Sequence, residues 1–192
     1  MSEFRFDGEY EGNRAIKGRI QALVSRKDYE EFEDLREYPP ALAVGSVFYS
    51  SKEAFADAVK KKLGGCPVVI KKVPDWARCM LATEDKPGAE FVILVDEAIL
   101  AGYSEESQNG QFHRVLSYLK LQGKVDKETG NWAPTTDNGR PVYKIETPEA
   151  MCAQTLRRFG AFDPASAAVA NAIAEAVKGQ KMIDWEAKVR EE

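Results

Sequence analysis

Near the middle of the chain, the sequence reads Gln111-Phe112-His113-Arg114-Val115-Leu116-Ser117-Tyr118. Apolar residues recur here with the i, i+3, i+4, i+7 spacing of one face of an amphipathic helix: Phe112, Val115, Leu116 and Leu119. Ser104 is a good N-cap residue for this helix, and Gly123 is where we expect it to end. The stretch predicts a core-facing helix that carries His113, the single histidine of the chain.

Apolar runs and turn residues outside this helix predict both strands and helices. Three runs are typical of strands: Ala41–Tyr49, Val68–Ile70 and Phe91–Val95. Turn residues bracket a hairpin that returns through Val142–Ile145. Caps predict helices over 51–63, 148–159 and 164–178. This order favours an α+β fold in which a small mixed or antiparallel sheet packs against helices.

The length and composition favour one globular domain. The chain has 192 residues, of which 44% are hydrophobic, and this suffices for one substantial core. We expect residues 1–40 to form a charged extension or a docked helix, residues 41–162 the α+β core, and residues 163–192 a helix and tail. In the first segment, Tyr29, Phe32 and Leu35 have helical spacing and form a stripe that could dock on the core.

Charge and cysteine content narrow the class of protein. The 31 acidic and 27 basic residues give a net charge of -4, which argues mildly against nucleic-acid binding over the whole surface. The three cysteines, Cys66, Cys79 and Cys152, are scattered and form no C-x-x-C pair. With no signal-peptide pattern and no long apolar run, we expect a cytoplasmic protein that does not enter the membrane.

The helix around His113 has the spacing of a zinc-peptidase helix but lacks most of its residues. An H-E-x-x-H helix holds zinc with two histidines one turn apart, and its glutamate activates water. Here the same five positions read His113-Arg114-Val115-Leu116-Ser117. His113 is the one potential ligand that remains. Arg114 replaces the catalytic glutamate, and Ser117, a hydroxyl residue, replaces the second histidine.

The order of elements resembles the metallopeptidase family encoded by tailed bacteriophages and prophages. The segments that carry the resemblance are the strand and acids of 91–97, the loop 104–108 and the aromatic-glycine segment 157–162, within a match over roughly residues 68–162. The resemblance implies a zincin-like core, extended here by an N-terminal segment and a C-terminal helix.

Residue by residue, the resemblance implies a degenerate site. His113 matches the first zinc ligand, Arg114 the catalytic glutamate and Ser117 the second ligand, while the third ligand falls near Thr147, with Glu149 close by. Zinc needs three or four ligands, and a guanidinium stays protonated and cannot act as a general base. We therefore expect no metal, no cofactor and no catalytic residue here.

Less specific interpretations of the polar residues stay open. His113 fits a polar helix residue without metal, or one ligand of a rebuilt site with Glu149 and either Asp96 or Glu97. The two acids after the strand could act in catalysis, but acids at such positions more often cap a helix or face solvent. A cysteine nucleophile is a further alternative to buried, inert cysteines.

Two charged groups are candidate interaction sites. The acidic run before Pro39 is either a solvated face or a surface that binds a basic groove or imitates nucleic acid: Asp28, Glu30, Glu31, Glu33 and Asp34. A lysine group is either a phosphate-contacting patch or, for its first three members, the basic last turn of a helix: Lys60, Lys61, Lys62, Lys71 and Lys72.

Together, these features lead to one main hypothesis and two alternatives. The main hypothesis is a phage-encoded or prophage-encoded pseudo-metallopeptidase that binds a host or phage macromolecule, for example to inhibit host defence. The alternatives are a metal-dependent hydrolase with a rebuilt site, and a nucleic-acid-associated protein or acidic nucleic-acid mimic. The partner and the oligomeric state are not encoded in any pattern of the sequence.

Overall fold

The computed structural model describes residues 2–6, 11–49, 67–80, 88–125, 130–136, 138–146 and 151–161, together with 167, 168 and 171. The expected helix over 51–63 lies outside the described residues, as do the lysines at 60–62, Thr147 and Glu149. The expected helix over 164–178 also lies outside them, apart from the three isolated positions, which are helical.

Four strands form a mixed sheet: β1 (Ser2–Phe6), β2 (Leu42–Tyr49), β3 (Val68–Lys72) and β4 (Phe91–Val95). The sequence predicts the last three, whereas β1 is a strand within the segment expected to be a charged extension or a docked helix. The strand order is β1-β2-β4-β3. β2 and β4 run parallel, whereas the two outer pairings are antiparallel. The apolar run Phe91–Val95 therefore lies between two neighbours, which explains why it lacks polar alternation.

The strand register divides the side chains of the sheet between two hydrophobic clusters. Val44 of β2 is opposite Ile93 of β4, which is in turn opposite Ile70 of β3. These three side chains belong to the main core, while Ala43 and Val92 point to the other face and pack with Val73 in a smaller cluster. The period of two along each strand produces this division.

Helices and short strands complete the described structure. The helices are α1 (Glu11–Val24), a 3-10 turn (Glu30–Phe32), α2 (Glu33–Glu37), α3 (Asp75–Met80), α4 (Glu97–Leu100), α5 (Glu105–Leu116) and α6 (Met151–Phe159). Two-stranded sheets join β5 (Leu119–Leu121) to β8 (Tyr143–Ile145), and β6 (Lys124–Val125) to β7 (Trp132–Ala133). None of the described helices has the length and apolar character needed to cross a bilayer.

The N-terminal segment is docked on the sheet and shares its core. Helix α1 buries Ile16, Ile20 and Leu23 in the main hydrophobic cluster. The stripe expected from the sequence is buried too, with Tyr29, Phe32 and Leu35 each at most 4% exposed. At full burial, such side chains contribute about 1.5–3 kcal/mol each, so the inner side of residues 11–40 contributes to the core.

Helix α5 begins as predicted but ends earlier. The Ser104 hydroxyl accepts a hydrogen bond from the Ser107 amide at 3.2 Å, which confirms the N-cap. The expectation that the helix continues to Gly123 is wrong. It ends at Leu116, and Leu119 pairs with Ile145 in an antiparallel sheet. Leu119 is buried in this strand, so its apolar character fits a strand as well as the expected helix, and strand pairing decides between them.

A short helix that the sequence analysis does not predict follows β3. Helix α3 spans Asp75–Met80, and the Pro74 carbonyl accepts from the amides of Ala77 and Arg78 at 2.9 and 3.0 Å. Proline directly before a first turn is compatible with helix, because the amide hydrogen that it lacks has no intrahelical acceptor there.

Substitutions at two glycines test how Trp132 packs in the hairpin of β6 and β7. Gly123 has φ of +63°, and a Cβ there would lie 2.3 Å from the Trp132 indole nitrogen, whereas Gly130 has φ of +71° and open space. Gly130→Ala should lower the free energy of unfolding by about 1 kcal/mol through backbone strain alone. We expect Gly123→Ala to cost at least about 1 kcal/mol more, measured by urea unfolding. Equal losses would show that the indole does not pack over Gly123.

Candidate functional site

His113 lies in a closed cluster on the inner face of α5. Its side chain is 0% exposed. The ring Nε2 atom is 2.7 Å from Glu31 Oε1, and the ring Nδ1 atom is 3.2 Å from Thr155 Oγ1. The 3-10 turn, α5 and α6 each supply one of these residues. Both nitrogens that could bind a metal are therefore occupied by protein groups.

Aromatic rings surround the imidazole on the remaining sides. The ring centroids of Phe32, Phe159 and Tyr29 lie 4.8, 5.2 and 5.4 Å from that of His113. Such distances are typical of packed aromatic pairs, which add about 0.5–1.5 kcal/mol beyond their burial. The histidine ring is thus packed as a core aromatic with two polar edges.

The surroundings of His113 favour its neutral form. Burial lowers the pKa of His113, and this outweighs the opposing effect of Glu31. The contacts then assign the tautomer: Nε2 carries the proton and donates to the Glu31 carboxylate, and Nδ1 accepts from the Thr155 hydroxyl. The Ser117 hydroxyl donates to the backbone carbonyl of His113 at 2.8 Å, one turn earlier in the helix.

Arg158 completes the cluster by binding Glu31 with two hydrogen bonds. Its Nε atom donates to Oε1 at 2.7 Å and one Nη atom donates to Oε2 at 2.9 Å. Burial opposes ionisation of Glu31, yet the hydrogen bonds from Arg158, the backbone and His113 lower its pKa to about 2. Bidentate, charge-assisted pairs of this kind are stronger than neutral hydrogen bonds. The carboxylate therefore stays ionised although its side chain is only 6% exposed.

The order carboxylate, imidazole, hydroxyl is that of a hydrolase triad, but its position is unsuitable for catalysis. A nucleophilic hydroxyl must reach the substrate. Thr155 is 0% exposed and Ser117 is 2% exposed. In this structure the cluster connects three elements of the core, and neither hydroxyl reaches the surface.

The other residues matched to the metallopeptidase motif have structural contacts as well. Arg114 donates to the Val68 carbonyl at 3.1 Å and to the Gln111 side-chain oxygen at 2.7 Å, so it joins α5 to β3. Ser117 is the C-cap residue of α5.

Asp96 and Glu97, the two acids after β4, are not among the hydrogen-bond partners of His113. Asp96 is 1% exposed, and its carboxylate caps α4 by accepting from the Ile99 amide at 3.0 Å. The Glu97 carboxylate contacts the Ser46 hydroxyl. Within the described residues, the side-chain polar partners of His113 are Glu31, Thr155 and Ser117. The same part of the chain contains no group of three or more histidine, cysteine or acidic residues placed to hold a metal.

The acidic run separates into an inward and an outward part. Glu31 departs from the expectation of an outward carboxylate because it faces His113 and Arg158. Asp28 is exposed but paired with Arg26 at 2.8 Å. The remaining acids are exposed and form what we call the acidic face: Glu30, Glu33, Asp34 and Glu37.

The single base of this run does not neutralise the acidic face. One Nη atom of Arg36 donates to the carbonyls of Val24, Arg26 and Tyr29 at 3.1, 2.9 and 3.0 Å. The guanidinium thus bonds to the backbone that leads from α1 into the run. The acidic face keeps its negative charge directed to solvent.

Of the lysine group, the structure describes only Lys71 and Lys72, which are exposed at the end of β3. β3 is an outer strand of the described sheet. Lysines on an outer strand disfavour edge-to-edge pairing with another chain, so a structural role accounts for these two. A shared patch with the lysines at 60–62 stays a prediction.

Comparisons with known proteins do not assign the chain to a family. No protein-family model matches the chain, and no curated protein or solved structure matches it either.

The Glu31 cluster makes a testable contribution to acid stability. The pKa of Glu31 is about 2 in the folded protein against an ordinary 4.5, so the stabilisation is complete above pH 4.5 and is lost as the pH falls toward 2. We expect wild type to lose about 3 kcal/mol of unfolding free energy over this window that Glu31→Gln does not lose.

The exposed neighbour Glu33 provides the matched control. Urea unfolding at several pH values should give Glu33→Gln the acid profile of wild type. Parallel profiles for wild type and Glu31→Gln would contradict the ion pair with Arg158.

Proposed function

We propose that this protein acts by binding a macromolecule and that it is a phage-encoded or prophage-encoded relative of the metallopeptidase family without catalytic activity. The observation that carries the proposal is the burial of His113 with both ring nitrogens bonded to protein groups. A metal ligand needs a free nitrogen lone pair, and the nitrogen that accepts here is directed to Thr155. Helix α5, which would carry the catalytic residues, is therefore packed into the core.

The acidic face is the surface that we assign to binding. Four carboxylates on the 3-10 turn and α2 face solvent while the only base among them turns inward. A surface with one sign of charge steers and orients a partner of opposite charge. The partner that fits is a host or phage protein with a basic groove, of the kind that binds nucleic acid, met in the host cytoplasm. Inhibition of a host defence protein is one form that such binding would take.

The test compares two variants that each remove three negative charges. In Glu30→Gln/Glu33→Gln/Asp34→Asn the charges come from the acidic face. In Asp75→Asn/Glu105→Gln/Glu106→Gln they come from exposed positions elsewhere. A partner captured from bacterial lysate by wild type should bind the first variant at least about tenfold more weakly. It should bind the second variant like wild type, and binding to wild type should weaken with added salt.

Two results would reject the proposal. Equal loss in both variants would show that overall charge, and not the acidic face, governs binding. Stoichiometric zinc in the purified protein, together with chelator-sensitive cleavage of a peptide, would show that the site is catalytic. That second result would favour the metal-dependent hydrolase instead.

A further inference from the structure

Two Asn-Gly pairs in the chain, Asn109-Gly110 and Asn138-Gly139, lie in opposite surroundings. The first is inside α5, where Gly110 is buried and the Asn109 side-chain oxygen accepts a hydrogen bond from Arg19 at 2.8 Å. The second is exposed, in the connection between β7 and β8. Asparagine is among the thermolabile residues, so the fold protects one pair and leaves the other open to chemical change.

The backbone at Asn138-Gly139 is accessible to the reaction that such pairs undergo. Gly139 has φ of +71°, and a Cβ there would meet nothing within 4 Å. Because glycine has no Cβ, little bulk surrounds its amide nitrogen, which donates a hydrogen bond to the Thr136 carbonyl at 2.8 Å. Within the described part of the chain, the Asn138 side chain has no hydrogen-bond partner. Its carboxamide can therefore turn toward the Gly139 nitrogen.

We infer that Asn138-Gly139 is a site of spontaneous deamidation, with water as the co-reactant. The Gly139 amide nitrogen loses its proton and attacks the Asn138 Cγ atom. A new N–C bond forms, and the side-chain nitrogen leaves as ammonia. Water then opens the cyclic imide at one of its two carbonyls, which gives either aspartate or isoaspartate, the isomer whose main chain runs through Cβ. This covalent change is independent of the proposed binding function and goes beyond it.

The products alter the charge and the pairing of this connection. Each adds one carboxylate to a chain whose net charge is already -4. Isoaspartate also lengthens the main chain next to a bond from the Thr136 amide to the Arg140 carbonyl at 2.7 Å, and next to the bridge between Thr135 and Pro141. Hydrogen bonds weaken steeply as their geometry departs from the optimum. Isoaspartate therefore disrupts this pairing, whereas aspartate retains the original main chain.

Asn109 provides a matched internal control. Its helix carries Phe112, Val115 and Leu116, each at most 1% exposed, into the main core. The cyclic imide requires a backbone conformation that differs from that of a helix. Asn109 can therefore react only when this part of α5 opens, and elements packed in the core open rarely.

Peptide mapping by mass spectrometry measures both sites in one sample of the full-length protein at mildly alkaline pH, where more of the nucleophile is deprotonated. In the folded protein, Asn138 should deamidate at least about tenfold faster than Asn109. In urea, the two should react at similar rates, because the same dipeptide is then free of the fold. Gly139→Ala places a methyl group beside the nucleophile, so it should slow the reaction of Asn138 in urea and leave that of Asn109 unchanged.

Three results would overturn the inference. Asn138 could stay intact in the folded protein over the time in which it reacts in urea, which would show that the fold protects it. Equal rates at Asn109 and Asn138 in the folded protein would show that the exposed connection gives no advantage. An unchanged rate for Asn138 in Gly139→Ala would exclude the Gly139 nitrogen as the nucleophile.

Discussion

The carboxylate of Glu31 is the point on which the described helical layer depends. It accepts hydrogen bonds from His113 of α5 and Arg158 of α6 while it lies almost completely out of water. Arg158 reaches the surface but Glu31 does not, so loss of Arg158 would leave a carboxylate that is only 6% exposed without its cation. The 3-10 turn, α5 and α6 are therefore held in one arrangement, with the aromatic side chains of Tyr29, Phe32 and Phe159 packed around it.

This constraint explains why a helix with peptidase spacing is unsuited to peptidase chemistry. In a zinc enzyme, histidine presents a lone pair to a metal in an open cleft. In this chain the ring of His113 fills a closed aromatic site, and its protonated nitrogen donates to a carboxylate. The surface that we assign to binding, the acidic face, lies on the outer side of the 3-10 turn and α2.

Local sequence patterns predicted the helices and strands better than they predicted the contacts between them. The strands at 42–49, 68–72 and 91–95, the cap at Ser104 and the burial of Phe32 follow from periodicity and capping, which are properties of neighbouring residues. The end of α5 at Leu116 does not follow from them, because it depends on pairing between Leu119 and Ile145. The Glu31 cluster was missed for the same reason. Glu31 looks like its exposed neighbours in sequence, and only its partners, 82 and 127 residues away, distinguish it.

The span of the Glu31 and Arg158 pair also bears on how the chain folds during synthesis. Because Arg158 is translated 127 residues after Glu31, Glu31 lacks this partner until most of the chain has been synthesised. Contacts between residues distant in sequence slow folding, and exposed apolar surface favours aggregation in the meantime. Tyr29 and Phe32 would be exposed to solvent during this interval. The carboxylates around them would then act as solubilising neighbours of the nascent chain before the cluster can close.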